Sequence, residues 1–225
     1  MSITAGRVLK PELMDHADSA EAAVCLRDLA RINRWFGGHR ALLQVLKTLL
    51  KPGEQFSILD VGAASGDMGR VIRNSFPGAT VVSLDYRVSH LRLGQGPRVA
   101  ADAFQLPFLP QSFDFALCSL FLHHFSDGQA AELIAALRRI ARRAVIVLDL
   151  ERHPVPYYFL PATRRLLRWS PMTVHDGIIS VAAAFRPEEI RDLVRAAGGA
   201  TPRVRRHLPW FRLSAIIPAD AQVES

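Results

Sequence analysis

Three aspartates, each placed where an apolar run ends, could together bind a positively charged ligand. Asp60, Asp85 and Asp102 close or follow three short apolar segments of the chain. If these segments are strands of one parallel sheet, the carboxylates meet at the edge where such sheets bind ligands. Three like charges around one cleft repel a phosphate-rich ligand and favour a cationic one, such as a sulfonium that also carries an ammonium group. The spacing therefore predicts a cleft for a cation, in which Asp60 balances the ligand's charge.

A run of small residues follows the first of these aspartates and suits close contact between backbone and ligand. Gly62, Ala64 and Gly66 leave little side chain in the way, and the helix that begins after them offers free N–H groups. Asp85 follows Gly66 by 19 residues, where a carboxylate can accept two hydrogen bonds from a ribose diol. Asp102, one strand further out, could accept a hydrogen bond from an adenine amino group. These positions predict a site for an adenosyl ligand.

Two histidines are candidates for the base that removes a proton from an acceptor. His123 lies in the sequence LHHFSD, directly after the fourth predicted strand. His175 stands next to Asp176, an acid that could orient its imidazole. Each candidate has a structural alternative, in which His123 is a packed, hydrogen-bonded side chain and Asp176 caps a helix. The two cysteines, Cys25 and Cys118, are too few for a disulfide framework or a zinc site, and no metal centre is expected.

Alternating strands and helices predict the scaffold that positions these residues. Segments typical of strands occur at Phe56–Val61, Ala79–Leu84, Pro97–Ala101, Phe113–Leu120 and Ala144–Leu150. Segments with helical spacing lie among them, most clearly one that Asp127 is expected to cap. This alternation predicts a parallel sheet covered on both faces. Two later segments, Arg203–His207 and Trp210–Ile217, predict a closing antiparallel pair.

The chain is expected to form a single α/β domain, because no linker, repeat or low-complexity tract divides its 225 residues. Its parts are an N-terminal helical cover (1–53), a cofactor-binding core (54–150), a substrate-pocket segment (151–200) and the closing strands (201–217). Within the cover, residues 28–38 could close over the ligand and bring Arg34 near its carboxylate.

These residues also carry a resemblance to a known family. The stretches ILDVGAASGDMGRVI, VVSLDYR, VAADAFQLPF and FDFALCSLFLHHF follow one another in residues 56–150. In this order they resemble the class I S-adenosylmethionine-dependent methyltransferases, in the small-molecule branch that includes quinone-biosynthesis enzymes. The resemblance implies a Rossmann-like, mostly parallel sheet with helices on both faces and a C-terminal antiparallel strand pair. It implies S-adenosyl-L-methionine as the cofactor.

The family's motif E/D-x-G-x-G-x-G assigns residues to that cofactor, although Ala64 replaces its middle glycine. By resemblance the small residues lie under the methionine part, Asp85 holds the ribose, and Ser119 offers backbone to the amino-acid end. Adenine would contact Asp102 and Ala103. The implied cofactor-binding set is Asp60, Gly62, Ala64, Gly66, Asp85, Tyr86, Asp102, Ala103 and Ser119.

The position of His123 resembles that of the catalytic histidine in plant phenol O-methyltransferases. In that segment His124 replaces an aspartate and Phe125 a tryptophan. The resemblance implies methyl transfer to an oxygen or a carbon of a small aromatic, polyketide-like or quinone-like acceptor, a reaction typical of secondary metabolism.

Two other activities and a non-catalytic role are alternatives. A nicotinamide-binding motif needs glycine where Asp67 stands, and a carboxylate there would repel a pyrophosphate. The net charge of +7 suggests an RNA methyltransferase, but the charge is spread along the chain. Residues 118–121 read CSLF rather than the N/D-P-P-Y/F motif of base N-methyltransferases. A cofactor-fold scaffold without activity is the third alternative, against which the three intact aspartates argue.

The segment His153–Trp169 combines aromatic residues with three arginines and is expected to contribute to the acceptor pocket. It could form a lid that rests against a membrane or a carrier domain, or a helix with a solvated basic face. No apolar run approaches the ~20 residues of a membrane span, and the N-terminus lacks a secretory signal. We therefore expect a soluble, cytoplasmic protein, without nucleic acid as a partner. The oligomeric state is left open.

Overall fold

The computed structural model describes residues 6–220, which form a seven-stranded sheet with helices on both faces. The strands are β1 (Phe56–Val61), β2 (Ala79–Asp85), β3 (Arg98–Ala100), β4 (Phe113–Ser119), β5 (Ala141–Leu150), β6 (Arg203–His207) and β7 (Arg212–Pro218). The helices are α1 (Ser19–Trp35), α2 (Gly38–Leu49), α3 (Asp67–Ser75), α4 (Val88–Leu91), α5 (Asp127–Ile140), α6 (Pro154–Leu167), α7 (Pro171–Ala183) and α8 (Pro187–Ala196). Short 3-10 helices occur at Leu13–Asp15 and Leu122–His124. The ends of the expected domain, 1–5 and 221–225, lie outside the described residues.

The strand order is β3-β2-β1-β4-β5-β7-β6, with β1 to β5 parallel and β7 antiparallel to both of its neighbours. The order reverses between β1 and β4, so the carboxyl ends of these two strands flank a crevice. Asp60 of β1 pairs with Leu117 of β4 and Ser83 of β2, which sets the first aspartate at this crevice. The predicted fold class is confirmed.

Alternate residues of the strands enter two cores, one on each face of the sheet. Leu59 and Cys118 pack with α5 and α8 on one face, while Ile58 and Leu117 pack with α2 and α3 on the other. This alternation follows from the pleat, and burial of both faces explains the continuous apolar runs of the strands. Because α2 belongs to a core layer, only part of the N-terminal helical segment acts as a cover.

Two local expectations differ from the structure. Helix α5 begins at Asp127, but the residue that caps it is Ser126, whose hydroxyl forms a capping box with Gln129. The sequence also predicts that Arg138, Arg139, Arg142 and Arg143 share the end of this helix, favouring its dipole. The helix ends at Ile140, however, and Arg142 and Arg143 lie on β5. There Arg143 pairs with the carboxylate of Glu54 at 2.5 Å, so its charge is satisfied by a neighbouring loop and not by a helix dipole.

Helices α1, α6 and α7 gather above the carboxyl ends of the strands. Asp28 of α1 accepts hydrogen bonds from the backbone N–H of Ser170 at 2.9 Å and the hydroxyl of Thr173 at 3.0 Å. These bonds fix α1 to the start of α7 across a large sequence separation. None of the described helices is long and apolar enough to cross a membrane.

Candidate functional site

The loop between β1 and α3 has a backbone that only small residues allow. Gly62 and Gly66 have φ of +67° and +68°, and Ala64 has φ of +46°. A Cβ on Gly62 would collide with the ring of Phe121, so glycine is required there for both conformation and space. Ala64 accepts a strained left-handed conformation in place of the family's middle glycine. The loop thus presents bare backbone at the crevice between β1 and β4.

Asp85, at the end of β2, holds this loop in place. Its Oδ2 accepts a hydrogen bond from the backbone N–H of Ala64 at 2.8 Å, and its Oδ1 accepts one from Arg87 N–H at 2.8 Å. Because each carboxylate oxygen has a second lone pair, these two bonds leave acceptor capacity for a ligand.

Asp60 is buried beneath the loop, and only 1% of it is exposed. One oxygen accepts the Gly69 N–H, whereas Oδ2 lacks a hydrogen-bond partner among the described residues. Burial raises the pKa of this carboxyl to about 7, because desolvation disfavours the charged form. The neighbouring Ser119 hydroxyl is likewise buried without a described partner. A bound cation or ammonium group would satisfy the carboxylate at this position.

A cavity of about 540 Å³ connects these groups. It is lined by eight of the nine predicted cofactor-binding residues, namely Asp60, Gly62, Ala64, Asp85, Tyr86, Asp102, Ala103 and Ser119. Gly66, the N-cap residue of α3, does not line this cavity. Helix α1 forms one wall through Leu26, Leu29, Ala30 and Asn33. Arg34 is exposed and does not line the cavity, so the expectation that it reaches the ligand finds no support.

Asp67, at the first turn of α3, remains an anion. Although burial opposes ionisation, the hydrogen bond with His39 at 2.7 Å and the guanidinium of Arg70 at 2.8 Å lower the pKa of this carboxyl. A negative charge at the helix N-terminus repels the pyrophosphate of a dinucleotide. The structure thus agrees with the argument against a nicotinamide cofactor.

A second cavity, of about 170 Å³, adjoins the first. Its lining is mostly apolar and comes from α1, α6, α7 and the residues before β7, including Ile32, Phe36, Phe159, Leu160 and Trp210. Four residues line both cavities: Met14, Leu29, Leu120 and His124. The molecule therefore places a polar, acid-lined space beside an apolar one, with His124 at their boundary.

His123 is buried and bound by carboxylates on both sides. Its Nδ1 lies 2.7 Å from Asp149 Oδ1, and its Nε2 lies 3.7 Å from Glu12 Oε1. Although burial opposes protonation of the ring, these two carboxylates raise the pKa of His123 to about 10. An imidazolium at neutral pH has no free lone pair with which to take a proton. The geometry supports the packed, hydrogen-bonded alternative for His123 and not the role of base.

His124 has the opposite character. Its ring stacks on that of His123 with centroids 4.5 Å apart, and its Nε2 lies 4.0 Å from Glu12 Oε2. Burial, followed by the positive charge of His123, lowers the pKa of His124. The ring is therefore neutral at pH 7 and able to accept a proton. The sequence predicted His123 as the base, whereas the geometry favours its neighbour: both rings line the apolar cavity, but only His124 also lines the larger one.

Glu12 is a second residue that the sequence did not single out. Its carboxylate is buried and accepts a hydrogen bond from the hydroxyl of Ser180. Glu12, His123 and His124 offer three ligand atoms within 4.8 Å of one another, a group that could hold a metal ion. We interpret it as an ionic cluster, because the cationic His123 already balances carboxylate charge there. The N-terminal segment carries Glu12 into the site.

The second predicted base, His175, lies elsewhere. Its Nδ1 is 2.9 Å from Asp176 Oδ1, as the adjacency suggested, but half of its side chain is exposed and it lines neither cavity. Asp176 lies inside α7 rather than at its end. Its carboxylate accepts hydrogen bonds from the backbone N–H groups of Leu13 at 2.9 Å and Met14 at 3.0 Å. It thus caps the 3-10 helix of the N-terminal segment and not its own helix.

Comparisons with known proteins agree with this architecture. A family model described as a methyltransferase domain matches residues 59–148. Over 160 residues the chain is 31% identical to demethylmenaquinone methyltransferase of Roseiflexus sp., covering 62% of this chain and 66% of that protein. Demethylmenaquinone methyltransferase of Corynebacterium kroppenstedtii is 32% identical over 129 residues, and this alignment covers 54% of this chain and 52% of that protein. The chain thus spans just under two thirds of the first relative's length and about half of the second's.

Among solved structures, a SAM-dependent methyltransferase from Aquifex aeolicus superposes with a TM-score of 0.60 at 14% identity. The superposition covers 91% of this chain and all of the other. At this identity the likeness concerns the fold.

Proposed function

Because the chain has the fold of the class I S-adenosylmethionine-dependent methyltransferases and carries their methyltransferase domain, we propose that it methylates a small apolar acceptor with S-adenosyl-L-methionine. The acceptor is a quinol or a similar phenol, methylated at an oxygen or a ring carbon. The observation that carries this proposal is the meeting of a polar, acid-lined cavity and an apolar cavity at His124. In-line methyl transfer requires donor and acceptor to be held side by side in this way.

The larger cavity carries groups that fit the donor. An ammonium group would neutralise Asp60 and give its buried Oδ2 a hydrogen-bond donor. Asp85 keeps lone pairs for the ribose hydroxyls while it holds the loop, and the bare backbone from Gly62 to Gly66 allows close approach. When bound, S-adenosylmethionine supplies a methyl group activated by its sulfonium.

His124 is the residue that we assign to take the acceptor's proton. Its neutral ring borders both cavities, and the Glu12 carboxylate 4.0 Å away stabilises the positive charge that it gains. Removing the proton from a phenol makes its oxygen a nucleophile and also activates the ortho and para carbons. The same base therefore serves transfer to oxygen or to carbon.

The apolar cavity selects the acceptor. Aromatic and aliphatic side chains such as Phe36 and Phe159 suit a flat ring, and the buried cation Arg212 forms part of the wall. Its guanidinium donates to Phe36 O and to Asn33 Oδ1, both at 3.3 Å. Although burial lowers the pKa of Arg212 to about 10, it is charged at pH 7 and would stabilise an anionic acceptor oxygen. The names of the relatives favour a quinol as that acceptor.

RNA is a weaker candidate acceptor. Several arginines that raise the net charge are already paired, including Arg143 with Glu54 and Arg152 with Glu189. The acceptor cavity is small and apolar, whereas a nucleotide would bring a phosphate into it.

The test is transfer of a labelled methyl group to a panel of quinols, phenols and RNA. We expect labelled product from quinols or phenols and none from RNA. The matched variant Asp85→Ala should lose product because donor binding is weakened. Cofactor binding by calorimetry with no transfer to any quinol or phenol would overturn the assigned acceptor class, and no cofactor binding by folded protein would overturn the proposed function itself.

A further inference from the structure

We propose that the outer face of α6 docks onto an anionic lipid bilayer. None of the 14 side chains of α6 is buried, although most of its residues are apolar. A surface helix usually turns an apolar stripe to the core and polar residues to water. In α6 the side that faces away from the protein is also apolar. We infer that this side contacts an apolar phase other than the protein core.

The outward stripe follows helical spacing. Val155, Tyr158, Ala162 and Leu166 are related by steps of three and four residues and so share one face. Val155 is 52% exposed, Tyr158 63% and Leu166 81%. Phe159 and Leu160, on another side of the helix, line the apolar cavity. Within the exposed strip Val155 also lines that cavity, whereas Tyr158, Ala162 and Leu166 do not.

The charge next to this strip has one sign. Arg164, Arg165 and Arg168 are exposed at the C-terminal end of α6, and residues 152–175 contain no aspartate or glutamate. The acids that flank this stretch, Glu151 and Asp176, are buried. Some exposed arginines elsewhere are paired with a neighbouring acid, as Arg195 of α8 is with Asp192 at 2.7 Å. The α6 surface thus combines unbalanced positive charge with apolar side chains, as helices that lie in the headgroup region do.

A bilayer fits this surface better than an acidic protein does. The exposed residues form a strip along a convex helix, without the pocket in which an interface usually buries its central side chains. Exposed tryptophans flank α6: Trp35 lies 6.3 Å from the ring of Trp169 just beyond its end, and Trp210 packs on Phe36 at 5.0 Å. Aromatic side chains of this kind concentrate at membrane interfaces.

The position of the strip links docking to the site. Val155 and Trp210 are exposed and also line the apolar cavity, which therefore reaches the surface beside the strip. An apolar acceptor could pass from the bilayer into the cavity without crossing water. This last step rests on the proposed function, whereas docking itself does not.

The experiment is co-sedimentation of the whole protein with vesicles, in the absence of cofactor and acceptor. Vesicles that contain phosphatidylglycerol should retain the protein, and vesicles of phosphatidylcholine alone should retain much less. Replacing Arg164, Arg165 and Arg168 by glutamine should weaken binding to the anionic vesicles by roughly a hundredfold, at the ~1 kcal/mol expected for each arginine. Leu166→Glu should weaken it by about tenfold or more.

Two control variants make the result specific. Leu109→Glu changes a leucine that is 79% exposed but lies in the loop before β4, at the opposite end of the strands. Arg195→Gln removes an exposed arginine that is already paired. Both should bind vesicles as the parent does, and thermal unfolding by circular dichroism shows that all variants are folded.

Three results would overturn the proposal: no binding of the folded parent to anionic vesicles, equal loss in the α6 and control variants, or binding only to an acidic carrier protein. Methyl transfer to a water-soluble phenol is measured separately, so a failure of docking is distinguishable from a failure of the proposed function.

Discussion

His123 Nδ1, in the 3-10 helix that follows β4, lies 2.7 Å from Asp149 Oδ1 near the end of the adjacent strand β5. This bond helps to keep His123 as a buried cation. That charge acts on the protonation of His124, whose ring stacks on it. Burial, and then the charge on His123, lower the pKa of His124, so the second ring is the neutral partner. The two adjacent histidines thus differ in protonation: His123 is a cation bound by carboxylates, and His124 is a neutral ring at the boundary of the two cavities.

Replacement of His124 should slow the reaction without weakening donor binding. His124→Asn is expected to lower the turnover of a phenol by about 10²- to 10⁴-fold, the usual contribution of a general base. Affinity for S-adenosylhomocysteine, measured by calorimetry, should stay within about twofold. The matched control is His175→Asn, which changes a histidine outside both cavities and should leave turnover unaltered. Unchanged turnover in His124→Asn would show that the proton leaves by another route.

The ionic cluster should make stability depend on pH. The pKa of His123 is about 10 in the folded chain and about 6.5 when unfolded. The folded state therefore binds the proton more tightly, and this stabilisation is complete below about pH 6.5 and lost as pH rises towards 10. Although burial opposes ionisation, the charge and hydrogen bond of His123 lower the pKa of Asp149. The contribution of Asp149 is therefore lost as pH falls below about 4. Urea unfolding of the parent should show greatest stability between these limits.

Asp149→Asn should remove much of that alkaline dependence. In this variant the buried His123 cation loses its partner at 2.7 Å. Breaking a buried ion pair in this way lowers the free energy of unfolding by about 3–5 kcal/mol. Asp192→Asn, which breaks the exposed pair with Arg195, should cost less than about 1 kcal/mol. Equal losses in these two variants, measured by urea titration at pH 6, would contradict a special role for the buried cluster.

Asp85→Ala should weaken binding of the adenosyl cofactor. The variant loses charge-assisted hydrogen bonds worth roughly 1.5–3 kcal/mol, which corresponds to an affinity loss of about 10- to 150-fold. It also frees the Ala64 N–H that now donates to the carboxylate. Asp102→Ala, at an exposed position of the same cavity, should have a smaller effect. An unchanged dissociation constant for Asp85→Ala would remove this residue from the cofactor site.

Donor affinity should fall in acid because of Asp60. Burial raises the pKa of its carboxyl to about 7, so below this pH a proton competes with the ammonium group of the ligand. We expect the affinity for S-adenosylmethionine to drop by up to about tenfold for each pH unit below 7. Asp60→Asn should bind weakly and lack this dependence. A parent whose affinity is constant from pH 5.5 to 8 would contradict an ionic role for Asp60.

Gly62→Ala should disrupt the loop, since a methyl group would overlap the ring of Phe121 at a backbone φ of +67°. The expected cost is at least about 1–2 kcal/mol of stability, together with a loss of cofactor binding. Gly128→Ala is the control, because no atom lies within 4 Å of the added methyl group. There the helix should be stabilised by roughly 0.5–1 kcal/mol, as thermal unfolding can show.

The sheet and the crevice could be predicted because they follow from local pattern. β1 and β2 could be predicted because each is an apolar run with one aspartate at or near its carboxyl end. The same pattern predicted the positions of Asp60 and Asp85. The fold class and the resemblance to methyltransferases are confirmed. The roles of the individual cofactor-binding residues stay predictions, which the substitutions above test.

The acceptor side could not be predicted in the same way, because it is assembled by long-range contacts. Nothing in the local sequence around Glu12 shows that it meets His123, or that Asp176 binds the backbone at Leu13. The choice between His123 and His124 depends on which ring faces Asp149, and that follows from the path of the 3-10 turn between β4 and α5. Such relationships appear only when the chain is folded.

The stretch from Arg7 to Asp15 is held by groups of several other elements, with Arg7 bound to Asp127 and to the carbonyls of His123, Phe125 and Ala183. In this stretch Glu12 lines the apolar cavity, and Met14 lies in the wall that the two cavities share. Trimming a few residues here, or fusing a bulky tag close to Arg7, would therefore disturb the walls of both cavities. If the proposed function holds, exchanging this stretch between relatives would reshape the acceptor cavity while leaving the sheet intact.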